Sequence, residues 1–296
     1  MPVGKSAQIS EFATFGRQAL LPRRRFCVTS RGYHRPMASE RSGLLERVAQ
    51  MMEVDVRLLP FLPELLADLQ GLGSRPDEIA DALQAAGAPA GGTVLDLGCG
   101  KGAVSVTLAE RFGARVVGVD AFPPFLEAAR VLAAERSVAH LCTFREGDIV
   151  EVLRGEASDD VVLLVSVGPL LGDHRRTLEG LRRQVRPGGL VLIADGFLAE
   201  GVDALPGYEG CSSRAATLRQ LAAFGDVLVR EIVTPPAETR AENDRYTALI
   251  RGRAERLRRT RPDLVALVDA YVARQEHEVA QIERGFACAT WVLRRT

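Results

Sequence analysis

The chain has 296 residues, of which 47% are hydrophobic and 26% are charged. This length suits one large α/β domain with additions or two small domains, and this composition excludes wholesale disorder. The net charge is zero, but residues 1–38 hold seven basic residues against one acidic residue, so the rest of the chain is acidic. An acidic body with only 5% aromatic residues argues against a nucleic acid partner. We also expect no membrane partner, because no apolar run approaches the roughly 20 residues of a membrane-spanning helix.

Residues 1–38 are rich in Arg, Ser and Thr and show no sustained helical or strand period. This composition is typical of a transit peptide, of a disordered tail, or of residues placed before a true start at Met37. We expect a cytoplasmic protein, with an organelle such as the mitochondrion as the alternative if the segment is a transit peptide. From Ser39 to about Ala86 apolar residues recur at helical steps, so N-terminal helices are predicted over residues 39–90.

Beyond residue 90, short apolar runs alternate with helical patterns. The predicted strands lie at 94–97, 115–119, 141–144, 161–167 and 190–194, and the predicted helices between them lie at 104–112, 123–135 and 175–185. Such alternation predicts an α/β fold with a doubly wound parallel sheet.

The last third of the chain has a different pattern. Its predicted elements are a helix at 212–224, a strand at 227–233, a long charged helical stretch at 237–285 that breaks at Arg261-Pro262, and a strand at 287–293. We therefore predict an α/β core over residues 91–236, a helical insertion over 237–285, and a final strand of the core within 286–296.

The segment from Val94 to Gly102 carries the strongest functional signal, because a predicted strand runs into glycines at 98, 100 and 102. Glycines let the backbone turn sharply and approach a ligand closely. The spacing is close to the dinucleotide-binding pattern G-x-G-x-x-G/A. Asp96, however, is a poor neighbour for a pyrophosphate and suits a ligand that carries an ammonium and a sulfonium group. A P-loop is excluded, because Lys101 lacks its glycine spacing and a following Ser or Thr.

Two further acids follow later strands. Asp120 lies 22 residues after Gly98, close to the spacing at which an acid binds ribose hydroxyls, and a carboxylate can accept two hydrogen bonds from a diol. Asp148 can accept a hydrogen bond from an adenine amino group while Ile149 packs on the ring. These acids therefore favour a ligand that contains adenosine.

In order and spacing, the glycine turn, Asp120, Asp148 and the turn at Arg186–Gly189 resemble the class I S-adenosylmethionine (SAM)-dependent methyltransferases over about residues 76–235. The resemblance implies a Rossmann-like sheet of seven mostly parallel strands in the order 3-2-1-4-5-7-6, with helices on both faces. It also implies SAM as cofactor and S-adenosylhomocysteine (SAH) as product. The cofactor-binding residues would be Asp96, Gly98, Cys99, Gly100, Asp120, Ala121, Asp148, Ile149 and Ser166.

Methyl transfer from a sulfonium is an in-line displacement, which needs a general base only when the acceptor must lose a proton. His174 is the preferred base because an unperturbed imidazole titrates at about pH 6.5. Asp173 and Tyr246 are further catalytic candidates, and Asp195 at the end of the fifth strand is a candidate for substrate contact. Ser166 opens a Ser-Val-Gly-Pro segment where families that methylate amide or base nitrogens often carry Asn/Asp-Pro-Pro-Tyr/Phe, so such substrates are disfavoured.

No metal site is expected. Five cysteines occur without a C-x-x-C pair, which predicts reduced thiols rather than a disulfide framework or a zinc site. The triplet Glu276-His277-Glu278 consists of helix neighbours that face different directions, so we interpret it as a solvated face.

The preferred function is therefore methyl transfer to a small or medium organic acceptor. The helical segments at 40–86 and 237–285 are expected to cap the carboxyl ends of the strands, where open α/β sheets bind ligands. Two alternatives stay open: a catalytically silent SAM-binding partner or regulatory protein, and an NAD-dependent oxidoreductase. We expect a monomer or a homodimer.

Overall fold

A computed structural model describes residue 43, residues 46–50, residue 52 and residues 54–167, 172–208 and 210–296. Within these residues, seven strands form one sheet in the order β3-β2-β1-β4-β5-β7-β6, which confirms the predicted order. The strands are β1 Thr93–Leu97, β2 Arg115–Asp120, β3 Cys142–Glu146, β4 Asp159–Val165, β5 Val185–Leu198, β6 Val227–Val233 and β7 Phe286–Arg294. β7 runs antiparallel to β5 and β6, and the other neighbours are parallel.

The helices follow the predicted alternation. They are α1 Leu62–Leu65, α2 Pro76–Ala85, α3 Ala103–Phe112, α4 Pro123–Glu135, α5 Ile149–Val152, α6 His174–Arg182, α7 Arg214–Leu221, α8 Pro236–Thr260 and α9 Val265–Gly285. A 3-10 turn over Val56–Phe61 precedes α1, and another over Pro262–Leu264 separates α8 from α9.

The sheet has one hydrophobic core on each face. On one face α2, α3 and α4 pack on the sheet through residues such as Leu83, Leu108 and Leu126. On the other face α6 and α7 pack on it through residues such as Leu178 and Leu221, around the fully buried Trp291. Apolar residues of β1 and β4 are buried on both faces, which explains why these strands appear as continuous apolar runs.

A third hydrophobic cluster lies outside the sheet. It joins the N-terminal helical segment to α8 and α9 through buried residues that include Leu62, Ile250 and Val268, and it reaches the start of α4 at Phe122 and Phe125. We call residues 54–75 the strap. The strap, α8 and α9, which we call the cap, share this cluster with the loop that follows β2.

The end of the helix predicted at 175–185 is wrong. The helix spans His174–Arg182, and Val185 instead opens β5, where it pairs with Asp159 before a bulge. The helix therefore ends several residues before the turn at Arg186–Gly189 rather than at that turn.

The end of the strand predicted at 161–167 is also wrong. β4 ends at Val165, because Ser166 adopts a left-handed φ of +54°. The single turn of α5 was not predicted, since four residues are too few to show a helical period.

Some predictions concern residues that the structure does not describe, namely the segment 1–38 and the positions Gly168 and Pro169. In the described part of the chain, none of the helices combines the length and the apolar character that crossing a membrane requires.

Candidate active site

A cavity of about 650 Å³ opens at the carboxyl ends of β1, β2 and β4. Its floor is the glycine turn after β1, and its walls come from the strap, α8, α9 and the first residues of β7. Clefts at this edge are where open α/β sheets bind ligands. Every residue that the sequence analysis assigned to the cofactor lines this cavity: Asp96, Gly98, Cys99, Gly100, Asp120, Ala121, Asp148, Ile149 and Ser166.

The glycine turn is held against the next strand and leaves no room for side chains. The backbone N–H groups of Gly98 and Cys99 both donate to the Val119 carbonyl, at 2.8 and 3.1 Å. Gly98 has a φ of +75°, and a Cβ atom there would lie 2.5 Å from Cγ2 of Val167. The turn therefore requires glycine at this position for both backbone conformation and space.

Asp120 holds the same turn from the end of β2. One carboxylate oxygen accepts from the Gly100 N–H at 2.9 Å, and the other accepts from the Phe122 N–H at 2.8 Å. Burial raises the pKa of Asp120, while these backbone hydrogen bonds act in the opposite direction. Each carboxylate oxygen has two lone pairs, so both oxygens keep accepting capacity toward the cavity.

Asp96 is the most buried acid of the site, with 1% of its surface exposed. Its Oδ2 accepts a hydrogen bond of 2.6 Å from the Ser105 hydroxyl in the first turn of α3. Burial raises the pKa of Asp96 to about 6, and the nearby charge of Asp120 also raises it. A cation bound beside this carboxyl would favour its ionised form.

Asp148 and Ile149 form the wall after β3. One oxygen of Asp148 caps α5 by accepting from the Val150 N–H at 2.8 Å, and the other accepts from Arg47 at 2.8 Å. Ile149 is buried. Each oxygen of Asp148 thus already accepts one hydrogen bond, and each keeps one further lone pair that a ligand could use.

Ser166 lies at the middle of the cavity, where the strap crosses the end of β4. A Cβ atom on Gly73 of the strap would lie 3.6 Å from the Ser166 hydroxyl, and one on Gly100 would lie 3.0 Å from Cδ1 of Leu72. Leu72 and Ser166 both have a positive φ, of +46° and +54°. Both residues line the cavity, and non-glycine residues in this rare conformation cluster at functional sites.

The structure does not bring Asp173 and His174 into the cavity. The carboxylate of Asp173 caps α6 by accepting from the Arg176 N–H at 2.8 Å. His174 is 6% exposed and packs edge-to-face on Trp291, with 5.2 Å between ring centroids. Neither side chain is among those that line the cavity, so their predicted direct contact with the substrate is corrected.

Tyr246, in contrast, does line the cavity. Its hydroxyl lies close to the strap, 3.6 Å from the position of a Cβ atom on Gly71. Burial raises the pKa of Tyr246, and the neighbouring Glu242 raises it further. The residue therefore presents a neutral hydroxyl between α8 and the strap.

The far end of the cavity is lined by residues that approach from several elements. Asp195 comes from β5, Tyr208 from the loop after it, Glu278 from α9, and Phe286 and Cys288 from β7. Tyr208 packs on Phe286 with 4.9 Å between ring centroids. We call this region the acceptor end, because it lies beyond Ser166 from the glycine turn.

The triplet at 276–278 is a largely solvated face, as predicted, with His277 and Glu278 exposed and Glu276 half-buried. Glu276 pairs with Arg251 at 2.8 Å and His277 contacts Gln281, whereas Glu278 lines the cavity. The three side chains diverge as neighbours on a helix do. Among the residues described, no group of three or more His, Cys, Asp or Glu side chains is arranged to hold a metal ion.

Comparison with known proteins identifies the core. Residues 94–189 match the family described as methyltransferase domain. This confirms the resemblance to class I methyltransferases that the glycine turn, Asp120 and Asp148 predicted.

Curated relatives of this part of the chain carry the names of methyltransferases. The chain is 32% identical over 119 residues to a chloroplastic tocopherol O-methyltransferase of Arabidopsis thaliana, which covers 39% of this chain and 34% of that protein. It is 34% identical over 138 residues to a ubiquinone biosynthesis O-methyltransferase of Maricaulis maris, which covers 46% of this chain and 48% of that protein. The chain thus matches between a third and a half of the length of these curated relatives.

The fold extends beyond the matched domain. A SAM-dependent methyltransferase from Thiobacillus denitrificans, solved in complex with SAH, superposes with a TM-score of 0.65 at 22% identity, over 80% of this chain and 98% of that chain. This likeness concerns the fold. It covers far more of the chain than the sequence matches do.

Lys101 is the main residue of the glycine turn whose structural role the sequence analysis missed. Its ammonium group donates to the carbonyls of Leu66 and Leu69 in the strap, although it lies within the glycine turn. Burial lowers its pKa to about 8. A lysine in a glycine turn that fits no P-loop was the available signal, but its partners could not be found without the tertiary structure.

Proposed function

We propose that this chain is a SAM-dependent methyltransferase that acts on a small or medium organic acceptor. The observation that carries the proposal is a cavity in which the glycine turn, Asp96 and Asp120 lie together at one end, while Lys101, the basic residue of the turn, donates to carbonyls of the strap. The names of the relatives, which refer to tocopherol and to ubiquinone biosynthesis, support an organic acceptor.

The cofactor end fits SAM in its chemistry. The Asp120 carboxylate would accept hydrogen bonds from the ribose hydroxyls, and Ile149 would pack against the adenine ring with Asp148 near its amino group. Gly98 leaves the space that a Cβ atom would fill, and Asp96 supplies a buried negative charge for the cationic end. When bound, SAM would supply an activated methyl group for in-line transfer to the acceptor, with SAH as the leaving group.

The cap contributes positioning and the exclusion of water. The strap lies over Gly100 and Ser166, and the hydroxyl of Tyr246 reaches from α8 to the strap. Closing such a site aligns the acceptor with the methyl group and keeps water from competing with it. We retain the division into N-terminal helices at 39–90, core at 91–236, insertion at 237–285 and final strand at 286–296 as part of this proposal.

The proposal is tested by ligand binding measured with calorimetry. We expect SAH to bind, NAD not to bind, and Asp120→Asn to weaken SAH binding by more than 10-fold, because an amide offers the diol fewer accepting lone pairs. Asp269→Asn, an exposed acid on α9 that pairs with Arg258, is the matched control and should bind SAH like the parent. Selective binding of NAD would contradict the proposal and favour the oxidoreductase.

A silent SAM-binding protein is the second candidate. It is distinguished by incubating the protein with radiolabelled SAM and a metabolite extract, where an enzyme forms labelled product and a silent protein does not. We also propose a cytoplasmic monomer or homodimer, to be checked by the location of a fluorescent fusion and by light scattering. An organelle location that is lost on deleting residues 1–38 would instead identify a transit peptide.

A further inference from the structure

Asp195 occupies a distinctive place at the acceptor end of the cavity. It follows Ala194, whose carbonyl accepts from the Ser166 N–H at 2.9 Å, so it lies level with the end of β4. Its side chain is 19% exposed and lines the cavity. A carboxylate at this level of the sheet is in reach of an acceptor whose reacting atom sits near Ser166.

A histidine lies directly behind Asp195. Nε2 of His174 is 3.3 Å from Oδ2 of Asp195, and this buried nitrogen has no hydrogen-bond partner. The separation is that of an ion pair just outside hydrogen-bond geometry, as is common for catalytic pairs before the reactants bind. The structure thus places the carboxylate of Asp195 beside this imidazole nitrogen.

The imidazole is held firmly in that orientation. Its ring packs edge-to-face on Trp291, and the backbone N–H of His174 donates to Oε1 of Gln220 at 3.2 Å. Asp173 fixes the start of α6 by capping it. A buried imidazole that packs on Trp291 and lies 3.3 Å from a cavity-lining acid has a geometry suited to orienting that acid.

Tyr208 and Cys288, two of the titratable groups at the acceptor end, stay neutral near pH 7. Burial raises the pKa of Tyr208, and the nearby charges of Glu278 and Asp195 raise it further. Burial also raises the pKa of Cys288. Neither group supplies a positive charge. Asp195 and Glu278 are the carboxylates at this end of the cavity, and Asp195 is the one that lies level with Ser166 and has His174 behind it.

We propose that Asp195 accepts the proton of the methyl acceptor and that His174 is the positioning residue that orients Asp195. This rests on the proposed function. The lone pair of an O–H or N–H group forms the new bond to the methyl carbon, the electron pair of the broken carbon–sulfur bond stays on sulfur, and the proton passes to Asp195. The acceptor class is therefore a hydroxyl or an amine rather than a group without a dissociable proton.

The experiment compares the parent with Asp195→Asn, His174→Phe and the matched control Glu231→Gln. Phe keeps a ring on Trp291 but removes the imidazole nitrogens. Glu231 accepts from Nε1 of Trp291 at 3.1 Å and is not among the residues that line the cavity. SAH affinity is measured first by calorimetry and should agree within twofold among the four proteins.

Transfer of a radiolabelled methyl group is then measured from pH 5 to 9. The acceptors are catechol and larger phenols, 2-phenylethylamine and larger primary amines, and two acceptors without a proton on the reacting atom, N,N-dimethylaniline and thioanisole. We expect labelling of a phenol or an amine, a loss of 100-fold or more in Asp195→Asn, and about 10-fold in His174→Phe with an altered pH profile. Glu231→Gln should stay within twofold of the parent.

A readout independent of activity is the ring signal of His174 in carbon-labelled protein, assigned by its loss in His174→Phe. The chemical shift of this signal should change when the acceptor that the parent methylates is added together with SAH. This change should be absent in Asp195→Asn. The proposal is overturned if Asp195→Asn keeps more than a fifth of the activity, if only the proton-free acceptors are labelled, or if a parent that binds SAH labels no phenol or amine. A parent that does not bind SAH would instead remove the proposed function itself.

Discussion

The two ends of the cavity are built in different ways. At the cofactor end, the glycine turn and the acids Asp96 and Asp120 lie on adjacent strands that are also neighbours in sequence. At the acceptor end, Asp195, Tyr208 and Cys288 come from separate segments, and the cap adds the strap and two long helices. The first end is a property of the sheet edge, whereas the second is a product of how distant segments pack.

Under the proposed function, the cofactor end determines how the cofactor binds, and the acceptor end determines which acceptor is used. The cofactor end relies on backbone conformation and on buried carboxylates, so its requirements are strict and local. The acceptor end relies on side chains that a cap can vary without disturbing the sheet, in keeping with the general rule that fold does not fix chemistry. Substitutions at the two ends should therefore fail in different ways.

The largest effect is expected from Gly98→Val at the cofactor end. Its Cβ atom would lie 2.5 Å from Cγ2 of Val167, at a φ of +75° that valine rarely adopts. We expect SAH affinity to fall by more than 100-fold, as measured by calorimetry. Gly252→Val is the matched control, because no atom lies within 4 Å of a Cβ at that exposed position of α8. Retention of SAH affinity within 10-fold would show that the turn does not shape the site.

The next effect concerns the stability conferred by Asp96 as a function of pH. Burial raises its pKa from 3.8 to about 6, so between these values the folded protein binds more protons than the unfolded chain. Stability should therefore decrease as the pH rises from about 4 to 6, by about 3 kcal/mol at most, and then stay level. Asp96→Asn should remove this slope in urea unfolding, and Asp269→Asn should keep it. An unchanged slope in Asp96→Asn would assign the pH dependence to another group.

A smaller effect is expected at Lys101, which links the glycine turn to the strap. Lys101→Met removes the ammonium group, so the Leu69 carbonyl loses this donor and the Leu66 carbonyl keeps the backbone N–H of Leu69. Leaving buried polar groups unpaired costs about 1–3 kcal/mol. We expect faster hydrogen exchange in the strap and a loss of SAH affinity of about threefold to 10-fold. If exchange of the strap amides is unaltered, Lys101 does not hold the strap on the turn.

The smallest effect is expected at the outer side of the strap. Arg253 of α8 pairs with Asp68, but both side chains are substantially exposed, and exposed pairs contribute little. Arg253→Gln should change SAH affinity by less than twofold and leave strap exchange nearly unaltered at 0.5 M salt. An effect as large as that of Lys101→Met would mean that the strap is held from α8 rather than from the glycine turn.

Most of the sheet could be predicted, because its signals are local. Continuous apolar runs marked β1 and β4, glycines marked the turn, and Asp120 was found by its distance along the chain from Gly98. The boundary at Ser166 could not be predicted, since its left-handed backbone depends on contacts with the strap rather than on its own propensity.

The catalytic candidates show where sequence reasoning reaches its limit. His174 was selected for its imidazole, yet the structure buries it against Trp291 behind Asp195. Asp173 was selected as its neighbour, yet it serves as a helix cap. Residue type indicates which chemistry is available, but orientation on a helix decides whether that chemistry faces the cavity.

The amino-acid pattern alone specified the alternation of strands and helices, the glycine turn and the acids that follow β1, β2 and β3. These features depend on backbone sterics and on spacing along single elements, both of which are written in consecutive residues. The packing of the strap over Gly100, the contact of Lys101 with strap carbonyls and the pairing of His174 with Asp195 were decided by the tertiary structure. They join residues that are far apart in the chain, and no local preference specifies which distant side chains come into contact.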